Sequence, residues 1–219
     1  MNPRLLQLAS PSLPVGAYSY SQGLEAAVDA GVVRDAAGAA RWIGEVLDFS
    51  VSSMEAPLLV RLISAWERGD AEAVARWNDE AIAARETAEL RAETLQMGYS
   101  LRTLLGSLAV DDAKALDAFD ELAYPTAFAF ATAAWNIDAR EALAAYLFAW
   151  IENQVLASLK CVPLGQTDGQ RVLLELAQRI PAVVQAAASL ADDDLASLAP
   201  GLALLSARHE TQYSRIFRS

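Results

Sequence analysis

His209 and Cys161 are the only histidine and the only cysteine in this 219-residue chain, and they bound the chemistry it can do. Metal sites need clusters of His, Cys and carboxylate at defined spacing, which one copy of the chain cannot assemble around a single histidine. His209 could meet its twin in a symmetric dimer, but a hydrogen-bonded or solvated tail histidine is the simpler reading. Nucleophilic catalysis needs a nucleophile, a base and an orienting group, and no Gly-x-Ser-x-Gly elbow occurs. Cys161 follows Lys160, whose charge could lower the thiol pKa, yet a buried structural cysteine at the end of an apolar helix fits better. Gly165 to Gly169 has neither a Lys-Ser/Thr ending nor a preceding strand, so it is not a phosphate-binding loop. The residues define no active site, no metal site and no cofactor site. They describe an interaction protein.

Those side chains must be held by helices. Hydrophobic residues make up 54% of the chain, rich in Ala and Leu with few β-branched runs, which favours helix over strand. A single domain of this length should bury roughly 70% of its unfolded surface, and no linker divides it. Lys and Arg total 17 against 28 Asp and Glu, a formal charge of −11 that speaks against holding a nucleic-acid backbone. One cysteine excludes an internal disulfide and suits a reducing compartment, and Met1 to Leu8 is too short an apolar run for a signal peptide. The cytoplasm is the expected location.

The organising element is Asp138 to Cys161. Asp138 and Glu141 read as a capping box, and ten apolar residues follow from Ala142 to Ile151. A helix apolar on every side is expected to be buried on every side, over about 33 Å. Glu152, Asn153 and Gln154 interrupt it short of the about 20 apolar residues of a membrane span. The expected fold is all-α: a single-domain bundle of roughly ten helices around a central helix at about 138–160.

Before that helix, Leu5 to Leu8 offers a turn or two, and the prolines at 11 and 14 end it. Gly16 to Ser21 is a loop with two tyrosines, a candidate binding segment feeding a helix from Gln22 to Ala30 with Ser21 as N-cap and Gly31 as stop. Asp35, then the Leu58–Trp66 stretch, then Asp70 predict three consecutive antiparallel helices joined by short turns. Arg85 to Leu108 is the longest amphipathic stretch. Gly98 within it implies a close approach or a bend. Its start carries the densest charge cluster, where Arg85 and Glu89 can pair while Glu89 and Glu93 repel, the pattern of a solvated face. Thr167 to Gln170 is a second capping-box pattern. Lys160 complements the end of the central helix and can snorkel to water, beside a turn at Val162–Gln166 that must reach the surface.

Four stretches carry a resemblance: Leu6 to Glu25, Arg85 to Arg91, Lys160 to Gln166, and Ser206 to Ser219. Together they resemble the urease accessory protein UreF family, over residues 5 to 219. The resemblance implies a cytoplasmic homodimer without catalysis of its own. It would bridge UreD (also called UreH) and the nickel-carrying GTPase UreG to deliver nickel to apo-urease. Carried over residue by residue, it points to Tyr18, Ser19, Gln22, Glu25, Lys160, His209, Tyr213, Arg215 and Phe217 as partner-binding residues. The segment 1–20 and the tail 206–219 would be the docking extensions, the tail ordering only on UreD. An alternative makes the chain an activating protein for the GTPase, with Arg215 or Arg85 as an arginine finger. Ala17 stands where many relatives have glycine, which matters only if the position needs positive φ.

Overall fold

Three aspartates start helices as their spacing predicts. Asp35 accepts from the Gly38 N–H at 2.8 Å, Asp70 from Ala73 at 3.0 Å, and Asp138 from both Arg140 and Glu141 at 3.0 Å. The computed structural model describes residues 2–219. Its α-helices are α1 (Pro3–Leu8), α2 (Leu24–Asp29), α3 (Ala36–Val46), α4 (Ala56–Glu67), α5 (Ala71–Ala83) and α6 (Ala88–Ser107). They continue with α7 (Tyr124–Ala134), α8 (Ala139–Cys161), α9 (Gln166–Ala177), α10 (Ile180–Ser189) and α11 (Pro200–His209). No strand occurs among the described residues, so the chain is all-α.

Two starts differ from expectation. Thr167 caps nothing, because the Asp168 and Gly169 N–H groups already donate to the Gly165 carbonyl at 3.0 Å and the helix is under way. Ser21 lies outside α2, whose N-cap is Gly23. Its hydroxyl still accepts from the Glu25 N–H at 3.3 Å while donating to the Ser219 carbonyl at 2.6 Å.

The expected turn between the second and third elements is absent: α3 and α4 form one continuous rod through a π-helical segment, Leu47–Glu55. Pro57 is the cause. In an α-helix it would leave the Ser53 carbonyl without a donor and clash with it. Here the wider winding, with the Ala56 N–H reaching back to Val51, frees carbonyls sideways. Ser53 accepts from the Ala196 N–H at 3.2 Å and Phe49 from Leu198 at 2.6 Å, and the Ser53 hydroxyl donates to the Ala196 carbonyl at 2.7 Å. The extra residue in the winding shifts the apolar period, which is why the rod reads as two helices in sequence.

α8 packs against α1, α2, α3, α4, α9 and α10, yet it is not buried on every side. Phe148 and Leu156 are exposed. By length and composition α8 could cross a membrane, and the interruption at Glu152–Gln154 does not remove that resemblance; the burial of more than half of it inside the fold does. The most enclosed helix is α7, buried without a break from Pro125 to Thr132. Its alanines and threonines let α4, α5 and α6 close in. The loop before it is held by side chains: Asn78 donates to the Glu121 carbonyl at 2.9 Å and accepts from Ala123 at 3.0 Å, and Thr94 accepts from Tyr124 at 3.2 Å.

Gly98 is the close approach. A Cβ there would lie 2.0 Å from the Leu122 carbonyl oxygen, against backbone that Asn78 and Thr94 pin in place. Gly98→Ala is therefore expected to lower stability by about 3 kcal/mol. A denaturation midpoint equal to the parent's would show that this loop can retreat at no cost.

Candidate interaction site where the chain ends meet

Two acidic helix starts face one basic helix end. Glu25 sits in the first turn of α2 and Glu89 in the first turn of α6, where the helix dipole favours carboxylates; His209 closes α11, where it favours a cation. His209 is fully buried between them, with Nε2 3.1 Å from Glu25 Oε2 and Nδ1 2.7 Å from Glu89 Oε2. Of the hydrogen-bonded or solvated histidine expected from the sequence, the structure shows the hydrogen-bonded one, as a buried interior tie.

The tail folds back onto the same carboxylates. Glu25 Oε1 accepts from the Ile216 N–H at 2.7 Å and Oε2 from Phe217 at 2.9 Å. Arg215 donates to Glu89 at 2.8 Å. The Ser21 N–H donates to the Ser219 carbonyl at 2.7 Å, and the Arg218 N–H to that of Ser19 at 2.8 Å. The tail is thus ordered on the chain itself, with Phe217 and Ser219 buried, where disorder before binding was expected. The physical reason is charge: Glu25 and Glu89 meet the tail's donors, and such pairs give stronger bonds than neutral ones.

Glu93 lies one turn deeper, accepting from Gln22 Nε2 at 2.6 Å and from the Ser219 hydroxyl at 2.8 Å. The orientation of Gln22 is forced, since Trp150 Nε1 can only donate and does so to Gln22 Oε1 at 2.8 Å. That network holds Gln22 at φ 51°, a left-handed conformation rarely taken by a non-glycine residue. Ala17, by contrast, has no positive φ, so its departure from glycine carries no strain.

Behind these residues lies a chamber of about 70 Å³, lined by Gln22, Glu55, Arg85, Glu93, Tyr124 and Trp150 among others. It has room for several waters. Arg85 donates to Glu55 at 2.5 Å, and Glu55 also accepts from the Tyr146 hydroxyl. Burial pushes the Glu93 carboxyl up to about 7, opposed by its bonds from Gln22 and Ser219 and by Arg85, and reinforced by Glu55. Burial likewise raises the Tyr124 and Tyr146 phenols, Glu55 adding to both. The cluster at Arg85–Glu93 is therefore a solvated face only at Glu86 and Arg91. Arg85 pairs with Glu55 rather than Glu89, and the repelling Glu89 and Glu93 each have partners more than 100 residues away.

All nine residues singled out by the resemblance fall in this region, in two groups. Gln22, Glu25, His209 and Phe217 face inward and hold the ends together, and Ser19 is half-buried with its carbonyl engaged. Tyr18 and Tyr213 are exposed, Arg215 is partly so, and Lys160 places Nζ 5.0 Å over the Phe217 ring and 6.0 Å over that of Tyr18. Cys161 is chemically quiet: burial pushes its thiol up to about 11, Glu25 adds, and Lys160 only partly offsets them. Sequence reasoning passed over Ser21, Glu89, Glu93, Trp150 and Ser219 as parts of the site. The one signal was the Glu89–Glu93 repulsion, which implied outside partners.

Among the described residues no three His, Cys, Asp or Glu groups are placed to hold a metal ion. The body is all-helical, and its joined ends carry an exposed face with Tyr18, Lys160, Tyr213 and Arg215. A family model described as UreF matches residues 33–177. The chain is 57% identical to the urease accessory protein UreF of Azoarcus sp. (strain BH72), over 99% of this chain and 94% of that protein. It is 50% identical to the urease accessory protein UreF of Dechloromonas aromatica (99% and 96%) and 52% identical to that of Ralstonia pickettii (98% and 96%). The chain belongs to the UreF family of urease accessory proteins.

Proposed function

We propose that this chain is a cytoplasmic, homodimeric scaffold without catalysis of its own. It bridges UreD and the nickel-carrying GTPase UreG so that nickel reaches apo-urease. The observation that carries this reading is the division of labour in the tail. Glu25, Glu89 and His209 are spent on fixing its path, while Tyr18, Lys160, Tyr213, Arg215 and Ile216 remain available outside. Aromatic and arginine side chains on a rigid base are what interface centres are made of. On a body of formal charge −11 this face is locally cationic, which favours an acidic partner surface.

Light scattering on a sizing column, with the chain alone, with UreD, and with UreD plus GTP-loaded UreG, tests the scaffold. Stepwise growth of one complex supports it, and a chain that elutes alone in every mixture sinks it. The surface is tested by Tyr213→Ala. Tyr213 is wholly exposed, so stability should stay within about 0.5 kcal/mol of the parent. Partner affinity should fall at least about tenfold. Unchanged affinity would remove Tyr213 from the interface.

A second reading makes the chain an activator of the GTPase. Arg215 favours it, because its half-exposed guanidinium uses Nη1 on Glu89 and can present its other N–H groups outward. Arg85, enclosed with Glu55, is not placed for that role. Arg215→Ala that keeps the complex but loses stimulated GTP turnover would favour this reading.

A further inference from the structure

His209 makes more hydrogen bonds to carboxylates than a neutral imidazole can. Both ring nitrogens lie within bonding distance of carboxylate oxygens, Glu89 at 2.7 Å and Glu25 at 3.1 Å. A neutral ring carries one N–H and can satisfy only one of them, whereas the imidazolium satisfies both. Charge counting agrees. With His209 protonated, the cluster of His209, Arg215, Glu25 and Glu89 is neutral; without that proton it holds an uncompensated buried negative charge.

We propose that Glu25, His209 and Glu89 form a proton-dependent latch: with two protons on the imidazole the tail closes over Glu25 and Glu93 and its outer face is set for docking, and loss of one loosens the tail without unfolding the helices. The docking clause rests on the scaffold reading above; the latch does not.

The carboxylates touching His209 favour its second proton, and the cations nearby oppose it from farther off. Glu25 faces it from α2 and Glu89 from α6, Arg215 reaches Glu89 from the tail, and Glu210 bonds the Ala88 N–H at 3.1 Å. From the end of α8, Lys160 lies over Phe217 and Cys161 senses Glu25. Deeper in, the Ser219 hydroxyl bonds Glu93, whose carboxyl lines the chamber. Glu93 has its carboxyl raised to about 7 while closed. Burial raises it and the Ser219 bond opposes that, so Glu93 titrates within the same pH window as a separate group. The second proton on His209 lets both ring nitrogens donate to the carboxylates and so favours closure, and its loss favours opening.

Hydrogen exchange of the whole protein, without partners, tests the latch. The Ser21, Ile216 and Phe217 amides are followed from about pH 5.5 to about 8.5. Each is normalised to its intrinsic exchange rate and compared with interior amides of α8. Tail protection should fall by about tenfold per pH unit over part of this range, as release of one proton requires, while α8 stays protected. His209→Gln should lower tail protection at acidic pH and flatten the profile, with Glu93→Gln removing what slope remains. A flat wild-type profile overturns the latch, and so does a His209→Gln profile as steep as the parent's. Should His209→Gln not fold, the Glu93→Gln profile decides: a slope that persists there belongs to the His209 cluster, and a flat one overturns the latch. Partner affinity in the same buffers then tests the docking clause. Affinity that ignores tail protection overturns that clause and leaves the latch standing; affinity that follows it supports both.

Discussion

Glu25→Gln is expected to lower the stability of the chain by about 3 kcal/mol, the cost of a lost charged hydrogen bond and of donors left facing one another. The Glu25 carboxylate receives the Ile216 and Phe217 N–H groups, and His209 Nε2 lies 3.1 Å from it. A glutamine has one acceptor oxygen and must turn its amide nitrogen toward at least one of them. It also removes one of the two negative charges that balance His209 and Arg215. Denaturant unfolding and amide exchange measured together would separate the effects. The midpoint should drop, and the Ile216 and Phe217 amides should lose protection before those of α8. A variant with parental midpoint and parental tail protection would mean that the carboxylate is not what holds the tail.

Arg85→Met should be larger, about 3–5 kcal/mol, because it leaves Glu55 buried without its cation. Arg85 and Glu55 are each largely enclosed, with side-chain exposures of 18% and 12%, so water cannot replace the partner cheaply. Burial pulls the guanidinium pKa down, but the charge of Glu55 and of its neighbours outweighs that and raises it, so Arg85 stays charged. The double variant Arg85→Met with Glu55→Gln should recover much of the loss, giving a coupling energy of about 2 kcal/mol. Additive losses would refute the pairing as the source of the effect. The two experiments differ in where damage appears: Glu25 acts on the tail, and Arg85 on the wall between the chamber and the α4–α5 region.

The caps at Asp35, Asp70 and Asp138 were legible in the sequence because a cap is written within four residues. The kinship of residues 5–219 was legible too, and it singled out Tyr18, Lys160 and Phe217, which the structure brings together. Three things were not. The continuous α3–α4 rod was hidden by Pro57 and the extra residue in the π winding. The partners of Arg85, Glu89 and Glu93 were hidden because they lie 30, 126 and 126 residues away in Glu55, Arg215 and Ser219. The ordered tail was hidden because the Ile216 and Phe217 N–H groups, His209 and Arg215 meet two carboxylates far off in sequence. Local patterns reveal helices, and only tertiary geometry reveals which charges are internal.

The bond from Ser21 to Ser219 spans 198 residues. Contacts such as those of α4 with α5, or α8 with α9, join neighbours in sequence and can form early. The seam of α2 with α11 and the tail joins the most distant parts of the chain and must await the rest of the body. It is also bonded chiefly through side chains rather than through a helix ladder, which places it among the units that open at the lowest free energy. The last part of this fold to be completed is thus the first to be given back. A partner arriving at the joined ends would meet a body whose maturation can be read from that one seam.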